Sequence, residues 1–133
     1  MAQSPIADAT PAIPPDRQLI QGYDAAGFTI TGVRHRGSVI VFPERTIAWA
    51  VADPAALTLD DLEPIRAAAA GIDILLIGTG ATFRFVPPAL RAAVRAWGPV
   101  ADAMATPAAC RTYNVLLAEE RRVAAALVMA GEG

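Results

Sequence analysis

A short glycine-containing segment carries the first candidate chemistry of this sequence. Gly78, Thr79 and Gly80 directly follow the apolar run at residues 74–77. Such loops hold anions through backbone N–H groups, and open α/β sheets usually bind ligands at the carboxyl ends of their strands. A dinucleotide fingerprint needs a third glycine and an immediate helix, and residues 81–86 provide neither. An ordinary tight turn is therefore the favoured interpretation, and an anion or small-ligand site is the alternative.

The start of a later helix could complete such a site. Thr106 is a predicted N-cap, and Pro107 suits the first helical position because it has no N–H to satisfy. Unpaired N–H groups at a helix N-terminus favour an anion. If this end lies near the Gly78 loop, Arg84 and Arg111 would add positive charge. We therefore take these groups together as the candidate ligand site.

The helix after Thr106 is predicted to bury one stripe while Arg111 points away. The stripe consists of Thr106, Ala109, Cys110, Tyr113, Leu116 and Leu117. A helix N-terminus favours a thiolate at Cys110, but a thiol in apolar surroundings is inert, and packing is its favoured role. Tyr113 and Asn114 are candidate polar groups at the edge of the stripe, and we expect them to bond the helix to a neighbouring loop.

Composition excludes several kinds of site. The chain contains eleven arginines, one histidine and no lysine. Schiff-base catalysis by lysine and a P-loop, which needs a lysine, are therefore excluded. With one histidine and one cysteine, a multi-ligand zinc site is not expected, and no cofactor is indicated. Ser4 and Ser38 are the only serines, so a Ser-His-acid triad has little support. The net charge of −2 indicates no general attraction to nucleic acid or to an anionic membrane.

The first part of the chain predicts an arm and then β-structure. Residues 1–17 contain four prolines among small residues, which is typical of a disordered arm. Residues 28–31 and 39–42 read as strands, and the polar residues 34–37 between them read as the turn of a β-hairpin. Residues 46–51 alternate as a third strand.

The pattern then changes to alternating helices and strands. A capping box at residues 58–61 predicts a helix that extends to residue 72, and the apolar residues 74–77 predict a strand covered on both faces. A second helix runs from Pro87 to the break at Gly98, a short strand spans residues 100–104, and a last strand follows the Thr106 helix. The order predicts an α/β fold in which an N-terminal hairpin region precedes β-α-β-α-β.

Length and hydropathy define the organisation. The 133 residues suit one domain, assigned to residues 18–130 with a short tail at 131–133. Hydrophobic residues make up 54% of the chain, but no apolar run reaches the ~20 residues of a membrane span. We expect a protein that is not integral to a membrane and lies in the cytoplasm.

Four segments, in this order, resemble one known family. They are residues 30–38, residues 75–80, residues 106–116 and residues 122–127. Together they are similar to the small domain of unknown function shared by many bacterial and archaeal proteins, by mitochondrial complex I assembly factor 3, and by the adipogenesis-associated domain protein of animals. The similarity covers roughly residues 18–130. One departure is Glu120, where the family commonly has glycine, so the turn before the last strand is expected to differ.

The resemblance implies a single domain with three layers, β/β/α, and no established catalysis. It implies a chaperone-like role in its mitochondrial members, which bind early subunits and a second factor during assembly of a respiratory complex. Its motif positions in this chain are Gly78, Thr79, Gly80, Thr106, Cys110, Tyr113 and Asn114.

Three hypotheses follow. The first is a non-catalytic binding or assembly protein with a protein partner. The second is a small-ligand or enzymatic site between the Gly78 loop and the Thr106 helix. The third is a homodimer through Arg91, Trp97 or the edge of the hairpin.

Overall fold

The computed structural model describes residues 16–130, which contain eight strands and three α-helices. The strands are β1 (Ile20–Asp24), β2 (Gly27–Ile30), β3 (Val33–Arg36), β4 (Ser38–Val41), β5 (Thr46–Trp49), β6 (Ile74–Thr79), β7 (Val100–Met104) and β8 (Val123–Val128). The helices are α1 (Glu63–Ala68), α2 (Pro88–Trp97) and α3 (Thr106–Ala118). The predicted arm lies almost wholly outside the described residues, and the predicted tail lies wholly outside them.

The strands form two sheets. The small sheet has the order β1-β2-β3 and is antiparallel, whereas the large sheet has the order β5-β4-β8-β6-β7. In the large sheet β7, β6 and β8 run parallel, and β4 pairs antiparallel with both β8 and β5. Helices α1 and α2 pack on one face of the large sheet, and α3 packs on the other face together with the small sheet. The predicted three-layer α/β fold is confirmed, and α3 shares a layer with the small sheet.

The strand order explains why the helices separate. The chain passes from β6 to β7 in one direction and then returns across β6 to β8. Because crossovers between parallel strands are right-handed, connections in opposite directions place their helices on opposite faces. Helix α2 therefore covers one face of the large sheet and α3 covers the other. The central strands β6 and β8 are covered on both faces and must be apolar on both. Residues 75–79 of β6 and all of β8 are buried accordingly.

The segment before β6 is helical but interrupted. The predicted helix over residues 58–72 consists of a 3₁₀ turn at Leu59–Leu62, the short α1, and another 3₁₀ turn at Ala69–Gly71. The predicted capping box forms, since the Asp61 carboxylate accepts hydrogen bonds from the Thr58 N–H at 2.8 Å and from its hydroxyl at 2.9 Å. The apolar residues Leu62 and Ile65 face the core as their spacing predicts.

The predicted hairpin between residues 28–31 and 39–42 is wrong. Residues 34–37 do not turn, because β3 occupies most of them and pairs with β2, while β4 belongs to the large sheet. The actual turn is at Thr31 and Gly32, whose φ values of 45° and 80° are those of a tight two-residue hairpin loop. Polar residues at 34–36 resembled a turn because β3 is an edge strand of the small sheet with mostly exposed side chains.

Candidate functional site

Gly78 allows α3 to approach β6 closely. A Cβ atom at this position would lie 2.9 Å from Leu127 Cδ2 and 2.9 Å from Thr106 Oγ1, with the Thr106 Cα at 3.1 Å. Real Cβ atoms essentially never show contacts of 2.9 Å, so any other residue would require the Leu127 and Thr106 side chains, or the helix itself, to shift. The role of Gly78 in the structure is therefore packing between strand and helix.

Thr106 joins the ends of three elements. Its hydroxyl donates to the Val128 carbonyl at 2.6 Å and accepts the Gly80 N–H at 2.8 Å, and its own N–H donates to the Gly80 carbonyl at 2.7 Å. The side chain is fully buried. Thr106 was predicted as the N-cap, and this is wrong: Ala105 holds that position and Thr106 is the first helical residue. Its hydroxyl binds the ends of β6 and β8 instead of a free N–H of its own helix.

Thr79 organises the loop that follows β6. Its Oγ1 accepts the Arg84 N–H at 3.0 Å and lies within donating distance of the Thr82 carbonyl at 3.0 Å and the Met104 carbonyl at 3.2 Å. A hydroxyl has one proton, so it donates to one of these carbonyls at a time. Thr79 thereby holds the start of the loop against the end of β7.

These contacts fill the position at which many α/β sheets bind ligands. The connections from β6 and β7 leave toward opposite faces, and a crevice normally opens between two such strand ends. Here Gly80 and Thr106 bond each other across it. Among the first four residues of α3, three offer no free N–H, because Thr106 donates to Gly80, Pro107 has none and Ala109 donates to Ala105. We refer to this closed arrangement of Gly78, Thr79, Gly80, Thr106 and Val128 as the strand-end junction.

An open cleft of about 480 Å³ lies beside the strand-end junction. Its lining includes Asp53, Thr79, Gly80, Arg84 and Met129. The Asp53 carboxylate accepts the Ala55 N–H at 2.9 Å, so it is partly occupied within its own turn. One basic and one acidic side chain therefore border a shallow space at the carboxyl ends of β6 and β8.

Cys110 is packed rather than reactive. Its side chain lies in the core between α3 and the large sheet, with 3% of the residue exposed. Burial raises the pKa of the thiol to about 12, and the nearby positive charge of Arg111 offsets this only in part. The thiol is therefore protonated at neutral pH, which fits the packing role expected for it.

Tyr113 and Asn114 connect α3 to the small sheet. The Asn114 side chain accepts the Ile20 N–H at 3.0 Å and donates to the Ile20 carbonyl at 2.7 Å, so it continues the hydrogen bonding of β1. The Tyr113 hydroxyl is buried and has no hydrogen-bond partner within residues 16–130. Burial raises the Tyr113 pKa, the charge of Glu44 raises it further, and Arg17 lowers it. Asn114 thus fulfils the predicted bonding of the helix to its neighbour, here a strand, whereas the same prediction for the Tyr113 hydroxyl is wrong within residues 16–130.

The structure brings together only some of the candidate residues. Gly78, Thr79, Gly80 and Thr106 meet at the strand-end junction, and the Arg84 backbone is bonded to Thr79. Three others lie along α3 toward the core, namely Cys110, Tyr113 and Asn114. Arg111 is exposed and does not line the cleft. Within residues 16–130 no group of three or more histidine, cysteine or acidic side chains could hold a metal ion.

Sequence reasoning missed two exposed aromatic residues, Phe83 and Phe85. They lie in the loop between β6 and α2, where 51% and 88% of each residue is exposed. The available signal was an alternation of phenylalanine with polar residues over positions 82–85 in a segment too short to be assigned to an element. Alternation of this kind also describes a strand, so it could not show that the rings face solvent.

Comparison with known proteins supports the fold and the resemblance. The family described as protein of unknown function (DUF498/DUF598) matches residues 20–128. An uncharacterized protein of Rhodobacter capsulatus is 40% identical over 82% of both chains. A solved structure from Bartonella henselae, described as an outer membrane protein, has a TM-score of 0.79 and 37% identity, and the match covers 86% of this chain and 97% of that one.

A named relative is NADH dehydrogenase [ubiquinone] 1 alpha subcomplex assembly factor 3 of Mus musculus, which is 31% identical over 86% of this chain. The match covers 62% of the mouse protein and 58–63% of the other relatives that carry this name. No helix in the described part of the chain is long and apolar enough to cross a membrane. The family resemblance is confirmed: this chain belongs to the family of proteins of unknown function DUF498/DUF598.

Proposed function

We propose that this protein is a non-catalytic binding protein that holds a protein partner in the manner of an assembly factor. The observation that carries the proposal is its similarity to relatives named as assembly factor 3 of NADH dehydrogenase, about 30% identical over more than four fifths of this chain. The match covers only about three fifths of these relatives, so the complex that their name mentions is a property of those proteins. For this chain we propose the general role of partner binding.

The strand-end junction supports a non-catalytic role. Its polar groups bond one another, and the Cys110 thiol is buried with a raised pKa. Catalysis within the junction would need an accessible nucleophile, acid or base there, and these groups are already bonded or buried. The proposed location is the cytoplasm, whose reducing conditions suit a chain with one free cysteine.

Capture from the native host tests this proposal. The tagged full chain and an unrelated tagged protein are used as baits, and the recovered proteins are compared by mass spectrometry. A reproducible protein partner is expected with the full chain only, and it should also be recovered with the Arg66→Gln variant, because Arg66 pairs with Glu63 on the chain's own surface. Recovery of the same proteins by both baits would contradict partner binding.

A second candidate function is small-ligand binding in the cleft beside the strand-end junction. The cleft itself favours it, since Arg84 and Asp53 border a space of about 480 Å³ at the carboxyl ends of two strands. Thermal unfolding with added phosphate, and separately with added zwitterionic amino acids, tests it. A rise in the melting temperature that the Arg84→Gln variant lacks would support the ligand site. No rise with any of these probes would count against it.

A further inference from the structure

Two phenylalanine rings project from the loop that joins β6 to α2. The centroids of Phe83 and Phe85 lie 5.4 Å apart at an interplanar angle of 69°, so the rings form an edge-to-face pair. Phe85 is the most exposed of the large hydrophobic residues in the described part of the chain. A single exposed apolar residue needs no explanation, but an adjacent aromatic pair with this exposure is typical of a contact surface.

The loop holds the rings in place. On one side, the Arg84 N–H donates to Thr79 Oγ1 at 3.0 Å, and that oxygen also lies 3.0 Å from the Thr82 carbonyl. On the other side, Val86 is buried in the core beneath α2. The rings are thus presented by a backbone fixed before and after them. A fixed display loses less conformational entropy on binding than a disordered one.

Three arginines lie near the rings along the chain, one in the same loop and two on α2. No acidic residue occurs between Asp73 and Asp102, whereas Arg84, Arg91 and Arg95 all lie in that stretch. The three arginines are exposed, and none of them forms an ion pair within residues 16–130. Arg91 and Arg95 also border a shallow apolar depression of about 270 Å³ on α2. We call Phe83, Phe85 and these three arginines the aromatic-basic surface.

The chemistry of this surface limits its partner. A second copy of the chain in a symmetric dimer would oppose three arginines with three arginines, and like charges at an interface are unfavourable. Three arginines without an acidic ion-pair partner within residues 16–130 favour an anionic partner that also accepts two projecting rings. An interface of anionic phospholipids has both properties, because phosphate groups pair with guanidinium groups and the region below them takes aromatic rings.

We propose that the aromatic-basic surface binds anionic phospholipid bilayers peripherally. The rings of Phe83 and Phe85 enter the interface, and Arg84, Arg91 and Arg95 contact the phosphates. Such binding combines buried apolar area with electrostatic attraction and needs no membrane-spanning helix. It is independent of the protein partner proposed above, since either form of binding can exist without the other.

Co-sedimentation with lipid vesicles tests the proposal on the full chain. One set of vesicles contains phosphatidylcholine alone, and the other contains phosphatidylcholine mixed with phosphatidylglycerol. We expect binding to the mixed vesicles, weakened by added salt, and at least about tenfold weaker binding to phosphatidylcholine alone. The Phe83→Ser/Phe85→Ser variant should bind at least about tenfold more weakly, because a buried phenyl ring contributes roughly that factor or more.

Charge has its own matched variants. The Arg84→Gln/Arg91→Gln/Arg95→Gln variant should lose binding by roughly a hundredfold, since each arginine near an anionic surface contributes about fivefold. Its control replaces Arg36, Arg111 and Arg121 with glutamine, which are exposed arginines elsewhere on the chain. Both changes lower the net charge of −2 by three, so only a local surface distinguishes them. For the rings, Val115→Ser is the control, because Val115 is 56% exposed on α3.

Three results would overturn the proposal. The first is wild-type protein that binds neither kind of vesicle, and the second is equal loss of binding in the arginine variant and its control. The third is unchanged vesicle binding by the Phe83→Ser/Phe85→Ser variant. If the wild type ignores vesicles but this variant loses a captured protein partner, the surface belongs to that protein instead.

Discussion

The strand-end junction and the Phe83–Phe85 loop are neighbours along the chain and opposite in character. In the junction, Thr106 and Gly80 satisfy each other's polar groups, and Gly78 leaves no space for another atom. In the loop, two large apolar rings contact each other, and 51% of Phe83 and 88% of Phe85 remain exposed. The polar residues that the sequence suggested as a ligand site thus stabilise the fold. The apolar residues of the neighbouring loop remain exposed and available to a partner.

Thiol reactivity should differ most between the two regions. With a pKa raised from 9.0 to about 12, Cys110 forms roughly a thousandfold less thiolate at neutral pH than an ordinary cysteine. Native protein should therefore react with iodoacetamide on the order of a thousandfold more slowly than a Phe85→Cys variant in a Cys110→Ser background. Rates within about tenfold of each other would show that Cys110 is accessible, and the core and the loop would then not differ in thiol reactivity.

The raised pKa also has a consequence at alkaline pH. The unfolded chain releases the Cys110 proton near the ordinary value of 9.0, whereas the folded chain holds it to about 12. The contribution of this thiol to stability is therefore complete below pH 9.0 and is lost as pH rises through that window. The Cys110→Ala variant should lose less of its unfolding free energy across the same range.

Gly78→Ala should have the largest effect on stability. The added methyl group would lie 2.9 Å from one side-chain atom each of Leu127 and Thr106, and overpacking of this kind costs up to about 3 kcal/mol. Urea unfolding measures the change. Gly71→Ala is the control, because a Cβ there meets nothing within 4 Å, and its stability should be unchanged or slightly higher. Equal behaviour of the two variants would mean that α3 does not pack tightly on β6.

Thr106→Val should destabilise the protein by about 2 kcal/mol. The change keeps the shape of the side chain but leaves the buried Gly80 N–H and Val128 carbonyl without their partner. Thr106→Ser retains the hydroxyl and should recover most of the loss. Thr112→Val on the outer side of the same helix serves as the control. If Thr106→Val and Thr112→Val unfold at the same urea concentration, the hydroxyl does not hold the junction.

The spacing of apolar residues predicted these helices and strands well, because burial against the large sheet determines that spacing. The stripe on α3 is buried as its spacing indicated, apart from the half-buried Leu116, and α2 ends at Gly98 as the Gly-Pro break indicated. The apolar residues at 74–77 form β6 between two helical faces. In these segments one physical cause, the contact with the large sheet, determines both the sequence pattern and the structure.

Prediction failed where the cause lay in distant residues. The residues around 34–36 do not show that this segment pairs with β2 rather than forming a turn. The pairing makes the segment the edge strand of the small sheet, where polar side chains can face solvent. The local sequence around Thr106 is that of an N-cap. Its hydroxyl instead bonds the Gly80 N–H and the Val128 carbonyl, which are distant in sequence. The sequence order therefore indicated that the Gly78 loop and the start of α3 lie close together, but how Gly80 and Thr106 use their hydrogen bonds required the tertiary structure.

Glu120→Gly should stabilise the protein by about 1 kcal/mol. Glu120 has a φ of 60°, its N–H donates to the Leu117 carbonyl, and the Arg121 N–H donates to the Leu116 carbonyl, which together form a glycine-type helix end. Glycine takes this conformation without the cost that a side chain incurs. Glu120→Ala removes the same charge but keeps a Cβ, so it should not reproduce the gain. Equal stability of the two variants would attribute any gain to charge alone.

Phe83→Ser/Phe85→Ser should have the smallest effect on stability. Burial, rather than residue type, decides what an apolar side chain contributes, so the loss of two exposed rings should change the unfolding free energy by less than about 0.5 kcal/mol. Urea unfolding of this variant beside Gly78→Ala compares the loop with the junction directly. A loss above about 1.5 kcal/mol, the usual value of a well-buried side chain, would mean that the rings pack on the domain in solution. A small loss would mean that the rings contribute little to folding and are available to a partner.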